Sequence, residues 1–347
     1  MRAVDAFLIL LGGAWCALAA HEAGHLLAGR FVGFRFGFFA LGPVWLARVG
    51  PRVRLRWNRL PAAWGGMALA YPVDTRSLSA RLAFCAAGGP LASLGLAAVA
   101  FALAKALPAP AIESRLAMAV AIMSASVFVA TAQPFGTGVG VRSDGGRILF
   151  FATNRKKADA EAALVALMGQ AAAGVRPRDW DPSLVRTAET IRSPAAVALE
   201  AKTSILRHHL DQGNRPQAEA IVDSLLAGYD AAPAATRGEA AAEIAFFLAF
   251  FRRDAAAARR YLKDARTPLA ERHRLLRAEA AVHLRSSARA EAVRAVEGAE
   301  AALEQALVEV TDLDRDLVAA VRQEVSDLSG EGIRGERDVR RERGGER

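Results

Sequence analysis

The sequence predicts a mainly α-helical protein with three transmembrane helices, a small membrane-associated β segment and a soluble helical domain. Three observations predict this fold class. Long uncharged apolar stretches fill the chain up to about residue 150, a short segment among them alternates basic and apolar residues, and the remainder of the 347 residues is rich in Ala, Arg and Glu. The mean hydropathy of +0.17 therefore averages two unlike halves.

The apolar stretches give the transmembrane prediction. A bilayer core about 30 Å thick is crossed by roughly 20 apolar residues in a helix. We predict spans at about residues 6–29, 82–107 and 116–135. A cleaved signal peptide would also explain the first stretch, but it would discard the most chemically unusual residues in the chain.

The basic residues predict the orientation, because cytoplasmic loops of membrane proteins carry an excess of Lys and Arg. Nine arginines but only one acid, Asp74, lie between the first two spans. We therefore expect an integral, multi-pass protein of a bacterial cytoplasmic membrane, with its C-terminal domain in the cytoplasm. The isoelectric point lies near 10.3. In the first half of the chain the arginines flank apolar runs, so we expect lipid headgroups and no nucleic acid as their partner.

Residues 52–57, Arg-Val-Arg-Leu-Arg-Trp, have the period of a strand with one apolar face. Together with residues 34–39 and 65–69 they predict a small sheet against the membrane surface. One interpretation of this basic, amphipathic segment is an anchor on anionic lipid.

The first predicted span contains His21-Glu22-Ala23-Gly24-His25, an HExxH pattern. On a helix this spacing places both imidazoles on one face, one turn apart, with the Glu beside them. Two imidazoles bind Zn²⁺, and the Glu can take a proton from the zinc-bound water. The pattern also occurs by chance, but charged groups at the centre of a transmembrane helix cost about 2.5 to 3.5 kcal/mol each and persist mainly where they function.

A catalytic zinc site needs a third protein ligand. Asp144 follows the third span, and the predicted topology places it at the same membrane face as the end of the first span. The alternative for Asp144 is an N-cap of the helix that follows. The remaining histidines all lie in the second half of the chain, where we interpret them as surface or core residues: His208, His209, His273 and His283.

Three motifs resemble those of the site-2 protease family of intramembrane zinc metalloproteases. They are HEAGH in the first span, Ala-Gly-Gly-Pro-Leu-Ala-Ser at residues 87–93, similar to an AGPxAN-type segment, and Ser-Asp-Gly-Gly-Arg at residues 143–147, similar to a DGGR segment. The resemblance covers residues 1–155. One departure is that Thr131 or Gln133 stands where the family has an Asn.

The resemblance implies that His21, His25 and Asp144 bind Zn²⁺ and that Glu22 is the general base. It implies a membrane protein substrate that is cut in or near a transmembrane helix. Such a helix must open locally because it shields its peptide bonds, and a strand edge within residues 52–69 is a candidate to hold the opened segment.

The second half, residues 156–328, has a helical pattern. Three similar segments place Ala218, Ala258 and Ala292 at spacings of 40 and 34 residues, which resembles degenerate tetratricopeptide repeats. A generic Ala-rich helical domain is equally compatible. We expect this domain to bind a protein partner, and we expect residues 329–347, rich in Gly, Arg and Glu, to form a disordered tail.

Residues 1–155 thus form a predicted transmembrane zinc metalloprotease core. Two other hypotheses are a catalytically inactive scaffold that binds partners through its helical domain, and a transporter whose HExxH motif is only a pair of metal ligands. Glu22 favours the enzyme, since transport needs no general base between the ligands.

The arginine asymmetry gives a topology prediction. Reporter fusions at residue 55 and at residue 200 should report a cytoplasmic location, and a fusion between the second and third spans should report the opposite side. A signal from residue 200 on the outer side would contradict the three-span arrangement.

Overall fold

The structure is a computed structural model and describes residues 3–50, 52–58, 63–109, 111–136, 141–267, 270–306 and 310–327. Over these residues the protein is mostly helical, with one small antiparallel sheet and three long apolar helices, as predicted. The predicted disordered tail at residues 329–347 lies outside the described residues.

The three apolar helices are α1 (Ala3–Phe31), α2 (Leu78–Ala106) and α3 (Ile112–Ala132), and each is long and apolar enough to cross a membrane. Their outer faces expose large apolar side chains, among them Phe7 at 64% and Val99 at 67%. A surface of this kind in a folded chain needs lipid or protein to cover it.

The sheet contains β1 (Arg35–Leu41), β2 (Val44–Val49), β3 (Arg52–Trp57) and β4 (Met67–Tyr71), in the order β3-β2-β1-β4 with antiparallel neighbours. The sequence predicted a small sheet from the segments that became β1, β3 and β4. It did not predict β2, whose Val-Trp-Leu-Ala-Arg-Val sequence places apolar residues on both faces and so lacks the alternation of a half-buried strand.

The sheet lies along α1. A Cβ atom on Gly29 would lie 2.8 Å from the Cβ of Ala70 in β4, and a Cβ atom on Gly66 would lie 3.1 Å from Oε1 of Glu22. Gly66 has φ of +105°, a left-handed conformation that glycine adopts without strain. The strand β4 therefore begins directly beside Glu22.

The chain divides into two compact units. Among the described residues, the first unit comprises 3–175 and 179–204, and the second comprises 176–178, 205–306 and 310–327. The first unit thus includes helices beyond residue 155: α4 (Asp144–Thr153), α5 (Arg155–Ala172), α6 (Pro182–Ala188) and the first part of α7 (Ala195–Asp211).

The second unit is helical. After the end of α7 it contains α8 (Arg215–Gly228), α9 (Gly238–Phe246) with a π-helical continuation, α10 (Ala255–Ala265), α11 (Arg272–Arg285), α12 (Arg289–Glu304) and α13 (residues 312–327). Ala218, Ala258 and Ala292 are each the fourth residue of their helix, and each is fully buried. The tetratricopeptide-like arrangement itself stays a prediction. Every large apolar side chain described in this unit is buried or half-buried, in contrast to α1, α2 and α3.

Glycines set how closely α1 and α2 approach. A Cβ atom on Gly88 would overlap the carbonyl oxygen of Gly24, and a Cβ atom on Gly24 would overlap the carbonyl oxygen of Gly88. The two backbones therefore touch at this point, as small residues allow at helix crossings in membranes. Because Gly24 lies between Glu22 and His25, this contact places the HExxH turn against α2.

Replacement of Gly88 by Ala should lower the melting temperature of the purified protein in detergent, because overpacking at a tight contact costs about 1 to 3 kcal/mol. The matched control is Gly95→Ala in the same helix, where an added Cβ meets no atom within 4 Å. Equal melting temperatures for the two variants would contradict the close helix crossing.

Candidate metal centre

The structure brings together the two histidines and the aspartate that the sequence singled out. Nε2 of His21 lies 3.1 Å from Oδ2 of Asp144, and Nε2 of His25 lies 3.4 Å from the same oxygen. The candidate ligand atoms of all three residues lie within 4.8 Å of one another. Over the described parts of the chain, this is the one group of His, Cys, Asp and Glu side chains with such a geometry.

These distances fit a tetrahedral zinc ion. Zn–N and Zn–O bonds of about 2.0 to 2.2 Å at tetrahedral angles place neighbouring ligand atoms about 3.3 Å apart. The distances from the Asp144 oxygen to the two imidazole nitrogens match this value. Two imidazoles and one carboxylate also leave the fourth position of the metal for water or substrate, as catalytic zinc sites do.

The other ring nitrogen of each histidine contacts α2. Nδ1 of His25 lies 2.9 Å from the carbonyl oxygen of Cys85, and Nδ1 of His21 lies 2.9 Å from the hydroxyl of the fully buried Ser93. A carbonyl can only accept, so Nδ1 of His25 carries the hydrogen and Nε2 presents its lone pair to the metal position. Partners of this kind fix the tautomer and ring orientation of metal-binding histidines.

The glycine before Pro90 lets the His25 ring approach α2 closely. Nδ1 of His25 lies 2.9 Å from the carbonyl oxygen of Cys85 and 3.3 Å from the backbone nitrogen of Gly89. Because this Nδ1 carries a hydrogen, it donates to the Cys85 carbonyl and does not accept from Gly89. The following residue, Pro90, has no N–H, so the carbonyl of Ala86 has no helical donor four residues later. A Cβ atom on Gly89 would overlap Nε2 of His25, so this position has room only for glycine.

The start of α4 positions Asp144. Ser143 is the N-cap residue, and its hydroxyl accepts from the N–H of Gly146 at 3.1 Å and donates to the carbonyl of Gln133. A Cβ atom on Gly145 would overlap the carbonyl oxygen of Ala132 at the end of α3. The cap is thus Ser143, and Asp144 is the first residue of the helix, free to turn its carboxylate to the histidines.

The charge of Asp144 suits a metal ligand. Burial alone would raise the pKa of its carboxyl, but the interactions with the adjacent His21 and His25 side chains outweigh burial and hold the pKa below its ordinary value. Asp144 is therefore a carboxylate at neutral pH although it is buried.

Glu22 lies beside the three candidate ligands. It is half-buried, and it interacts electrostatically with His25, His21 and Asp144. Thr131 is half-buried and Gln133 is exposed at the end of α3. The four other histidines lie in the second unit and are not part of this cluster.

Comparison of the chain with models of protein families, with curated proteins and with solved structures finds no match. The chemistry of the site therefore rests on its residues and their geometry.

Sequence reasoning did not identify the partners of the imidazoles. The carbonyl of Cys85 belongs to the main chain, which is the same for every amino acid, so the sequence does not indicate this contact. The sequence did contain an indication for Ser93, because Ser93 lies four residues after Gly89 and therefore on the same face of α2. That spacing becomes informative only when α2 is known to pack against the HExxH turn.

Asp144→Asn should strongly reduce the zinc content of the purified protein, because an amide oxygen is a much weaker zinc ligand than a carboxylate. The matched control is Asp74→Asn. Asp74 accepts from Arg81 at 2.5 Å and from the N–H of Arg76 at 3.0 Å, away from the site. Zinc per mole of protein decides between them: normal zinc in Asp144→Asn and reduced zinc in Asp74→Asn would identify the other carboxylate as the ligand.

Proposed function

We propose that this protein is an intramembrane zinc metalloendopeptidase that hydrolyses a peptide bond in or near a transmembrane segment of a membrane protein. The observation that carries the proposal is the convergence of His21, His25 and Asp144, with Glu22 beside them, in a unit whose three longest helices are apolar. The resemblance of these motifs to the site-2 protease family supports the same activity.

The proposed roles follow from the chemistry of each side chain. A bound Zn²⁺ would polarise the scissile carbonyl and make a water molecule more acidic. The Glu22 carboxylate accepts a proton as the water oxygen bonds to the carbonyl carbon. The same carboxyl group then gives this proton to the amide nitrogen as the C–N bond breaks, which returns Glu22 to its ionised form and leaves a carboxylic acid and an amine. Proton transfer from the acid to the amine gives the final carboxylate and ammonium groups.

The surroundings of Glu22 support this role. Glu22 is one residue from a ligand and half-buried, so it lies close to the metal position without occupying a ligand position. A transporter or a storage site needs no proton acceptor there. An inactive scaffold needs neither the acceptor nor an open coordination position.

The position of β4 supports an extended substrate. A helical substrate hides its peptide bonds in hydrogen bonds, so the cleaved segment has to unwind. The strand β4 is an edge strand of the sheet and begins beside Glu22, next to Gly66. An extended segment that pairs with this edge would acquire backbone hydrogen bonds in place of those lost on unwinding, close to the proton acceptor.

The two units differ in surface, which supports their proposed locations. The exposed apolar side chains of α1, α2 and α3 fit a bilayer, and the second unit, with no exposed large apolar side chain among its described residues, fits the cytoplasm. We propose that the second unit binds a protein partner that recruits substrate or regulates cleavage.

Glu22→Gln tests the proposed activity. This variant should retain zinc near the level of the unaltered protein, while cleavage falls by a factor of about 100 or more, because general acid–base catalysis contributes about that much. The matched control is Glu113→Gln, which removes an exposed acid from the first turn of α3.

The measurement compares the membrane proteome of cells that carry each variant, together with zinc per mole of purified protein. A membrane-protein fragment that is present with the unaltered protein and with Glu113→Gln, and absent with Glu22→Gln, is the expected result. Identical proteomes in all three strains would favour the inactive scaffold.

A further inference from the structure

The residue two positions before Asp144 forms a double ion pair with α5. Nη1 of Arg142 donates to Oε2 of Glu161 at 2.6 Å, and Nη2 donates to Oε1 at 3.0 Å. Both side chains are largely covered, with 18% and 13% of their surfaces exposed. Bidentate pairs of this kind are stronger and geometrically more specific than single-point surface ion pairs, which contribute about 0 to 1 kcal/mol.

Arg142 is also fixed on the side of α4. Its guanidinium lies 3.7 Å from the centre of the Phe150 ring, and its backbone forms a bridge with Gly136. Arg142 therefore connects three pieces of chain: the segment after α3 through its backbone, and α4 and α5 through its side chain.

The helix α5 is itself attached to the rest of the first unit. The hydroxyl of Ser79, near the start of α2, donates to Oδ1 of Asp159 at 2.6 Å. Near the other end of α5, a Cβ atom on Gly169 would overlap the side chain of Tyr71, the last residue of β4. Glu161 thus projects from a helix that is held at both ends by elements of the site.

We propose that Arg142 and Glu161 are a positioning pair that fixes Asp144 at the metal, so that α5 is part of the scaffold of the metal site. This inference rests on the zinc site of the proposed function. Arg142 is close enough along the backbone that its displacement moves Asp144, and metal ligands have to stay within about 0.5 Å of their productive geometry. By its sequence composition α5 resembles the helical domain, whereas its ion pair with Arg142 makes it part of the support of the metal site.

The test measures the zinc dissociation constant of the full-length purified protein by competition with a chelator. Glu161→Gln and Arg142→Gln should each weaken zinc binding about tenfold, the lower end of the effect of residues that support metal ligands. The matched control is Asp159→Asn, which removes the charge of an acid two residues away in the same helix. Its amide oxygen still accepts from the Ser79 hydroxyl, so the attachment of α5 is kept and zinc affinity should be unchanged. Equal losses in Glu161→Gln and Asp159→Asn would overturn the proposal, because the effect would then come from the loss of negative charge on α5 and not from the pair with Arg142.

The double variant separates positioning from independent effects. If the two residues act as a pair, Arg142→Gln with Glu161→Gln should bind zinc no more weakly than either single variant. Arg142→Lys, which keeps the charge but loses the bidentate geometry, should fall between the unaltered protein and Arg142→Gln. Multiplicative losses in the double variant would overturn the proposal.

A spectroscopic measurement distinguishes displaced ligands from a loosened fold. With Co²⁺ in place of zinc, Glu161→Gln should change the visible absorption of the bound ion, and Asp159→Asn should not. If the unaltered protein bound neither metal, both the proposed function and this inference would fail. If it bound zinc and the pair variants matched it in affinity and spectrum, this inference alone would fail.

Discussion

The structure of the first unit depends on one constraint, which is that two imidazoles and a carboxylate are largely covered among apolar helices. Each buried polar group needs a partner, because an unpaired one costs several kcal/mol in a hydrocarbon environment. Asp144 faces Nε2 of both histidines, and Ser93 and the Cys85 carbonyl take the opposite nitrogens. The packing of α1, α2 and α4 can be understood as the arrangement that provides these partners.

Close backbone approach makes that arrangement possible, and it explains the glycines. Gly24 and Gly88 let α1 and α2 touch, Gly89 leaves space for the His25 ring, and Gly145 lets α4 begin against the end of α3. Any other amino acid at one of these positions would place its Cβ atom in overlap with a neighbouring atom. Four of the five glycines in the three motifs are therefore explained by the space around them, and none of these four has a backbone conformation that requires glycine.

Features that depend on local pattern could be predicted from the sequence, and those that depend on distant contacts could not. The three apolar helices follow from length and hydropathy, β3 follows from its alternation, and His21, Glu22 and His25 follow from a helical spacing. Asp144 was predicted as the third ligand from the ligand chemistry of zinc and the predicted topology, and the structure places it beside both histidines. In contrast, β2 could not be predicted because it lacks an alternating pattern. The partners of His21 and His25 are more than 50 residues away along the chain. Glu161 belongs to a helix whose composition resembles that of the second half.

The two imidazoles are held by partners of different chemical kinds, one a side chain and the other the main chain. Mutation therefore affects the orientation of His21 and that of His25 differently. His21 depends on a hydroxyl that a single base change can remove, whereas His25 depends on a main-chain oxygen that every amino acid at position 85 supplies. Oxidation of the Cys85 thiol likewise leaves that oxygen in place. Sequence drift and chemical damage at position 85 therefore leave the His25 tautomer intact, while the orientation of His21 rests on the identity of one side chain.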